Sequence, residues 1–212
     1  MTLPAPGFTG ICARNLHVWR GERHVLRGLS VEAQPGDCVH LAGPNGSGKT
    51  TLLRVLAGLL AAEEGAVVWR DRPIGADRDA YAATISYLGH SDGLKPDFTA
   101  RENLAYEAGL RRVMGPGEID GVLARVGLAA SHHQPARSLS AGQRRRLAMA
   151  RVMLSGAALW LLDEPFTNLD GAGVEMLSGV VAGHLAAGGA ALIASHQPPA
   201  IPGHPARRVE LA

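Results

Sequence analysis

The sequence predicts an α/β fold in which a mostly parallel sheet is wrapped by helices. Three observations carry that prediction. Short apolar, β-branched runs alternate with segments of helical periodicity, a glycine-rich loop joins one such run to one such segment, and no internal repeat or low-complexity tract interrupts the alternation. With 212 residues and 22.1 kDa, the chain is about the size of one large α/β domain, and 1–212 is read as a single domain.

Taken in order, 11–18, 25–33 and 38–42 read as strands, separated by turn signals at Arg20-Gly21 and Gln34-Pro35-Gly36-Asp37. Leu52, Val55, Leu56, Leu59 and Leu60 recur at helical spacing, so 49–60 is expected to be an amphipathic helix. Segments 66–69 and 84–88 read as further strands. The character then changes, with helical patterns at 100–112 and 118–126 and breakers at 115–117 and Gly127. Thr99 and Glu102 have capping-box spacing, which places the start of the first of these helices. A small helical insert follows from this, beginning in the stretch 89–138 and reaching about 91–155 when the helix 141–154 is counted with it; the alternation resumes with that helix, strand 159–162, helix 172–187 and strand 190–194.

Composition excludes several classes of function. Hydrophobic residues at 46% against 19% charged describe a chain that buries a sizeable core, not a disordered one. A net charge of +2 is too slight for the basic face of a nucleic-acid binder, so no nucleic-acid partner is expected. Cys12 and Cys38 stand apart with no CxxC pair, which excludes a zinc finger and a disulfide scaffold and reads as two buried thiols in a reducing cytosol. No basic stretch followed by an apolar run marks a secretory signal at the N-terminus. The uncharged stretch 179–195 is too short, and too broken by Gly183, His184, Gly188 and Gly189, to span a bilayer. Action at a membrane would therefore need an integral partner.

The chemistry concentrates in a few motifs. Gly43-Pro44-Asn45-Gly46-Ser47-Gly48-Lys49-Thr50 fits G-x-x-x-x-G-K-[ST] between a predicted strand and helix, followed by Thr51. Its glycines let consecutive N–H groups converge on phosphate oxygens, Lys49 reaches the β/γ-phosphates, and Thr50 can bind Mg²⁺. Only Lys49 and Lys95 are lysines, so the placement of one of them here is informative. The strand 159–162 runs into Asp163 and Glu164: Asp163 is expected to hold the metal and Glu164 to polarise the attacking water. Ser140 is a natural N-cap for the helix at 141, and Gly142 leaves its first amides unobstructed.

Leu139-Ser140-Ala141-Gly142-Gln143 resembles the signature motif of ATP-binding-cassette (ABC) ATPases. Asn168-Leu169-Asp170 resembles that family's D-loop and Ala194-Ser195-His196 its switch histidine; together the motifs stand in family order over essentially the whole chain. The resemblance implies a P-loop NTPase with an N-terminal antiparallel β subdomain and the helical insert. It also implies two subunits sandwiching two ATP molecules, with Ser140, Gly142 and Gln143 reaching the γ-phosphate of the other copy, Asp170 of the D-loop among the nucleotide-binding residues, and His196 contacting the γ-phosphate in cis. Trp19 lies near where many cassettes stack an aromatic on adenine, although a core or strand-end role suits it equally.

Where cassettes usually place glutamine at the entry to the helical insert, this chain has Gly89-His90. With the following residues, LLDEPFTNLD and ASHQP, the segment resembles the ATP-binding subunits of bacterial cytochrome c maturation haem exporters. The implied setting is the cytoplasmic face of the inner membrane, peripheral, with a permease and other maturation proteins as partners. His90 either links the nucleotide site to that permease or merely caps a strand. Arg144-Arg145-Arg146 reads as a solvated helix face rather than a nucleic-acid contact. Alternatives are the ATPase of another small exporter, or a soluble cassette ATPase of translation or DNA repair. Soluble ones usually carry two cassettes or a long coiled coil, and no sustained heptads are present. A P-loop kinase would have no use for LSAGQ.

Overall fold

The computed structural model describes residues 8–111 and 113–211. Strands β1 (Ile11–Arg20), β2 (Arg23–Ala33), β4 (Glu64–Trp69) and β5 (Arg72–Pro73) form an antiparallel sheet in the order β2-β1-β4-β5. Strands β3 (Cys38–Ala42), β6 (Ile85–Leu88), β7 (Leu159–Asp163), β8 (Ala190–Ala194) and β9 (Arg207–Glu210) form a second sheet in the order β6-β7-β8-β3-β9, parallel throughout.

Alternation along the parallel strands divides the core into two clusters. In β7, Leu159 and Leu161 face the antiparallel sheet and helix α1 (Lys49–Leu56), whereas Trp160 and Leu162 face the helical side. β8 does the same, with Leu192 on the first side and Ile193 on the second. All ten residues of β7 and β8 are buried, as expected for parallel strands covered on both faces. The helical side consists of α3 (Ala100–Gly109), α4 (Glu118–Arg125), α5 (Ala141–Leu154) and α6 (Gly171–Ala186). Thr99 and Glu102 form the expected capping box on α3.

Several boundaries differ from expectation for identifiable reasons. The helix expected over 49–60 stops at Leu56 because Gly58 adopts φ 69° and closes a Schellman motif, with Leu59 N–H donating to Arg54 C=O (2.9 Å) and Gly58 N–H to Val55 C=O (3.0 Å). Position 112, the expected end of the next helix, lies outside the described residues. A short helix α2 (Arg78–Thr84), capped by Asp77, precedes β6 and occupies the first residue of the strand expected from 84. β9 carries no apolar alternation because it is an exposed edge strand.

His184, in α6, packs flat against Trp160 with ring centroids 3.7 Å apart, and its ring N–H donates to the carbonyl of Ala190 (3.2 Å). Burial pushes its pKa from 6.5 down to about 4, so the native imidazole stays neutral where the unfolded one takes up a proton. Stability is unaffected above pH 6.5 and falls between about pH 6.5 and 4, by about 3 kcal/mol in total from this residue. Urea unfolding across that range should show this loss in the natural protein and its absence in His184→Phe; parallel stability curves for the two would contradict the assignment.

Candidate active site

β3 ends at Ala42 and hands the chain to the loop 43–48, which turns into α1. The loop needs its glycines. Gly43 has φ 143°, and a Cβ there would lie 2.4 Å from the Leu211 carbonyl oxygen and 2.7 Å from Ser47 Oγ; at Gly48, φ 103°, it would lie 2.8 Å from a Leu26 methyl. Lys49, buried as a residue, folds its Nζ back to donate to the carbonyls of Gly43 (2.7 Å) and Pro44 (3.0 Å). Pro44, Asn45 and Gly46 are exposed, and Thr51 is half-buried on α1.

At the same edge of the sheet, Thr50 Oγ1 donates to Asp163 Oδ2 at 2.8 Å, tying the start of α1 to the buried end of β7. Glu164 follows with φ 50°, a conformation that non-glycine residues rarely adopt. Its N–H donates to Ala194 C=O (2.8 Å), and its Oε1 lies 3.7 Å from Nε2 of His196, whose ring is exposed beyond the end of β8. Three parallel strands thus bring together the loop lysine, the two carboxylates and the histidine that the sequence singles out.

Ser140, Gly142, Gln143 and Asp170 form a second group. Ser140 caps α5, its Oγ accepting from Gln143 N–H (3.1 Å) while Gln143 Oε1 accepts from Ser140 N–H (2.8 Å). A Cβ on Gly142 would lie 2.7 Å from the Asn168 carbonyl, and Asp170 caps α6 by accepting from Gly173 N–H (2.8 Å). Signature helix and D-loop therefore pack against each other within one chain, and Ser140 faces solvent. Trp19, at the end of β1, is half-buried, with one face covered by His24 at 3.9 Å. His90 is exposed just past β6.

The reading of Arg144-Arg145-Arg146 as a solvated face is wrong. Arg145 is 3% exposed, and all three side chains donate to backbone carbonyls: Arg144 to Leu139 (2.6 Å), Arg146 to Val126 (3.3 Å), and Arg145 to several discussed below. The carbonyls that Arg145 and Arg146 reach are contributed by distant segments, so charge periodicity on the helix alone could not reveal them. Arg23 was also invisible in the sequence: from the β1–β2 hairpin it donates to Gly46 C=O (2.8 Å) and braces the phosphate loop. Cys38 is buried, its thiol pushed up to about 11 by burial, whereas Cys12 is only half-buried; both are free thiols.

A family model for the ABC transporter matches residues 26–167. The chain belongs to the ABC transporter family. Among curated relatives, a protein named cytochrome c biogenesis ATP-binding export protein CcmA 2, from Cupriavidus metallidurans, is 45% identical over 87% of this chain and 88% of its own length. A CcmA protein of Yersinia pestis is 43% identical over 94% of this chain and 92% of its own length. A solved ATP-binding subunit of an ABC transporter superposes with a TM-score of 0.82 at 21% identity, covering 90% of this chain and 80% of that one, which is a likeness of fold. This ABC subunit binds and hydrolyses ATP.

The site suits Mg-ATP on its own chemistry. Ser47 Oγ is buried in the phosphate loop with no hydrogen-bond partner, a donor that a bound anion could satisfy. Thr50 and Asp163 supply hard oxygen ligands of the kind Mg²⁺ prefers. Among the described residues, no cluster of three or more metal-ligating side chains competes for that role. Gly43→Ala should weaken ATP binding by tenfold or more (about 1.4 kcal/mol), because the added methyl group forces the loop away from Ser47 and Leu211. Calorimetric titration with Mg-ATP checks this, and unchanged affinity would contradict the cradle.

Proposed function

We propose that this ABC subunit is the ATP-hydrolysing motor of an export complex for c-type cytochrome biogenesis, bound peripherally to a permease on the cytoplasmic face of the bacterial inner membrane. The observation that carries the reading is the convergence of Lys49, the Thr50–Asp163 pair and Glu164 at one sheet edge, in a chain whose curated relatives are named as cytochrome c biogenesis export proteins. The driven step is haem export or release of a haem-loaded chaperone, with other cytochrome c maturation proteins as partners. No described helix is long and apolar enough to cross a membrane, which accords with an integral partner supplying the path.

In this mechanism the loop 43–50 and Lys49 bind the β- and γ-phosphates of ATP, with the buried Ser47 hydroxyl available as a further donor. Thr50 and Asp163 would hold Mg²⁺, which supplies charge neutralisation on the phosphate oxygens. Glu164 orients the attacking water and accepts its proton, and His196, 3.7 Å from that carboxylate, contacts the γ-phosphate. Each site is completed by Ser140, Gly142 and Gln143 of a second copy, with Asp170 lying in the shared interface. The solvent-facing N-terminus of α5 leaves those groups available to it. Trp19, stacked on His24 and 5.8 Å from the His17 ring, is the aromatic for adenine, and His90 follows β6 in the loop that meets the permease.

Glu164→Gln should lower kcat by about 100-fold or more while leaving ATP affinity within about twofold, and should trap an ATP-dependent dimer on size exclusion. Wild-type turnover in that variant would end its assignment as base. Mixing Ser140→Arg with Lys49→Ala subunits tests the shared sites: a heterodimer holds one site with both lesions and one with neither, so ATPase activity should partly return. Failure to recover, with heterodimers demonstrated, would mean that each chain builds its own site.

A further inference from the structure

We propose that Arg145 is a positioning residue for hydrolysis, holding the Glu164 backbone in the conformation that aims its carboxylate and tying that conformation to the loop 89–93. The proposal rests on the reading of Glu164 as the general base. Arg145 leaves the second turn of α5 with its side chain 4% exposed and reaches two strand ends at once. Its Nη1 donates to Gly89 C=O and to Asp92 Oδ1, both at 3.1 Å. Its Nη2 donates to Asp163 C=O and to Glu164 C=O, the latter at 2.9 Å. Its buried Nε has no partner.

This is a costly way to fill space. A buried guanidinium faces a single carboxylate, Asp92, itself 26% exposed, and leaves one donor unsatisfied. An apolar side chain would serve helix packing at least as well. What the guanidinium alone supplies is a rigid fork able to bind carbonyls on neighbouring residues of one strand end and on a second strand. The strained residue sits where the fork points. Glu164 is held at φ 50° by Ala194, which accepts its N–H, and by Arg145, which donates to its C=O together with the turn N–H of Thr167 (3.2 Å). A strained conformation persists only where its surroundings over-determine it, and Arg145 is the one side chain among these anchors.

The other arm of the fork grips a loop that is otherwise anchored by Arg151, which donates to Asp92 C=O (2.7 Å) and Gly93 C=O (3.0 Å) and pairs with Glu107 (3.0 Å). Asp92, Gly93, Glu107 and Arg151 line a surface cleft of about 220 Å³. Displacement of the loop therefore reaches Glu164 through the backbone of Gly89, the carboxylate of Asp92 and a single guanidinium, without passing through the exposed ring of His90.

Full-length Arg145→Met, Arg145→Lys and Asp92→Asn, with Glu164→Gln alongside, test this through kcat, KM, Mg-ATP affinity and melting temperature. Arg145→Met should lower kcat by about 100-fold with ATP affinity within about twofold, since a displacement on the order of 1 Å at a reacting group costs that much. Arg145→Lys should fall between Met and the natural protein, and Asp92→Asn should lose several-fold in kcat at unchanged affinity. Unchanged kcat in Arg145→Met overturns the proposal, as does a kcat that falls in step with ATP affinity and melting temperature in both Arg145 variants. If the methionine variant does not fold, the lysine variant decides by the same split: reduced kcat at constant affinity upholds positioning, and unchanged kcat or parallel loss overturns it. If Glu164→Gln keeps wild-type turnover, the base assignment fails; if it abolishes turnover while Arg145→Met keeps full kcat, only the positioning role fails.

Discussion

In-register parallel pairing of β3, β8, β7 and β6 decides where the reactive groups lie. Leu41 pairs with Ala194, Ala194 with Asp163, and Leu162 with Leu88, so all four strands end on one line. The phosphate loop, the Asp163–Glu164 pair, His196 and His90 are the residues that follow those ends. Because side chains alternate along a strand, a slip of one residue in β7 would swing Asp163 to the other face and break its bond to Thr50. The buried apolar runs hold this register, since the same slip would exchange Trp160 and Leu162 with Leu159 and Leu161 between two differently shaped core clusters.

On that frame the polar interior is sparse and specific. Thr50 and Asp163 join helix to strand, His40 Nε2 lies 3.0 Å from the Ser195 carbonyl in the switch segment, and Asn103 bonds Lys95, Phe98 and Thr99 to order the chain before α3. The last two pair backbone groups that lie where the chain leaves or enters regular structure and that would otherwise go unpaired. Loops thus inherit precision from the sheet, while the N-terminus of α5 is closed by its own capping box with Ser140 facing solvent.

Much of this was legible in the sequence because it is local. Glycine spacing at 43–48, the acidic end of β7, the Ser140 N-cap and the Thr99–Glu102 capping box are patterns of nearby residues, and the structure places each on its expected element. Illegible were the interactions whose partners are far apart in the chain. Arg145 looked like surface charge because its acceptors sit more than 50 residues earlier and 18–19 later. Arg23 and β9 escaped notice for the same reason, the first bonding across a hairpin to the phosphate loop and the second pairing at an edge without apolar alternation. The end of α1 was missed because Gly58, inside a run of leucines, breaks a periodicity that otherwise continues.

Lys49, Thr50, Asp163 and Glu164 meet at one sheet edge, and a bound nucleotide decides whether they act as one ATP site. A crystal structure of the protein with Mg²⁺ and a non-hydrolysable ATP analogue tests it most directly. The account predicts the triphosphate in the loop 43–50 with Lys49 turned from the Gly43 and Pro44 carbonyls toward it, the metal between Thr50 and Asp163, and Glu164 facing the γ-phosphate. A triphosphate bound elsewhere, or Lys49 still bonded to those carbonyls beside a bound nucleotide, would contradict it.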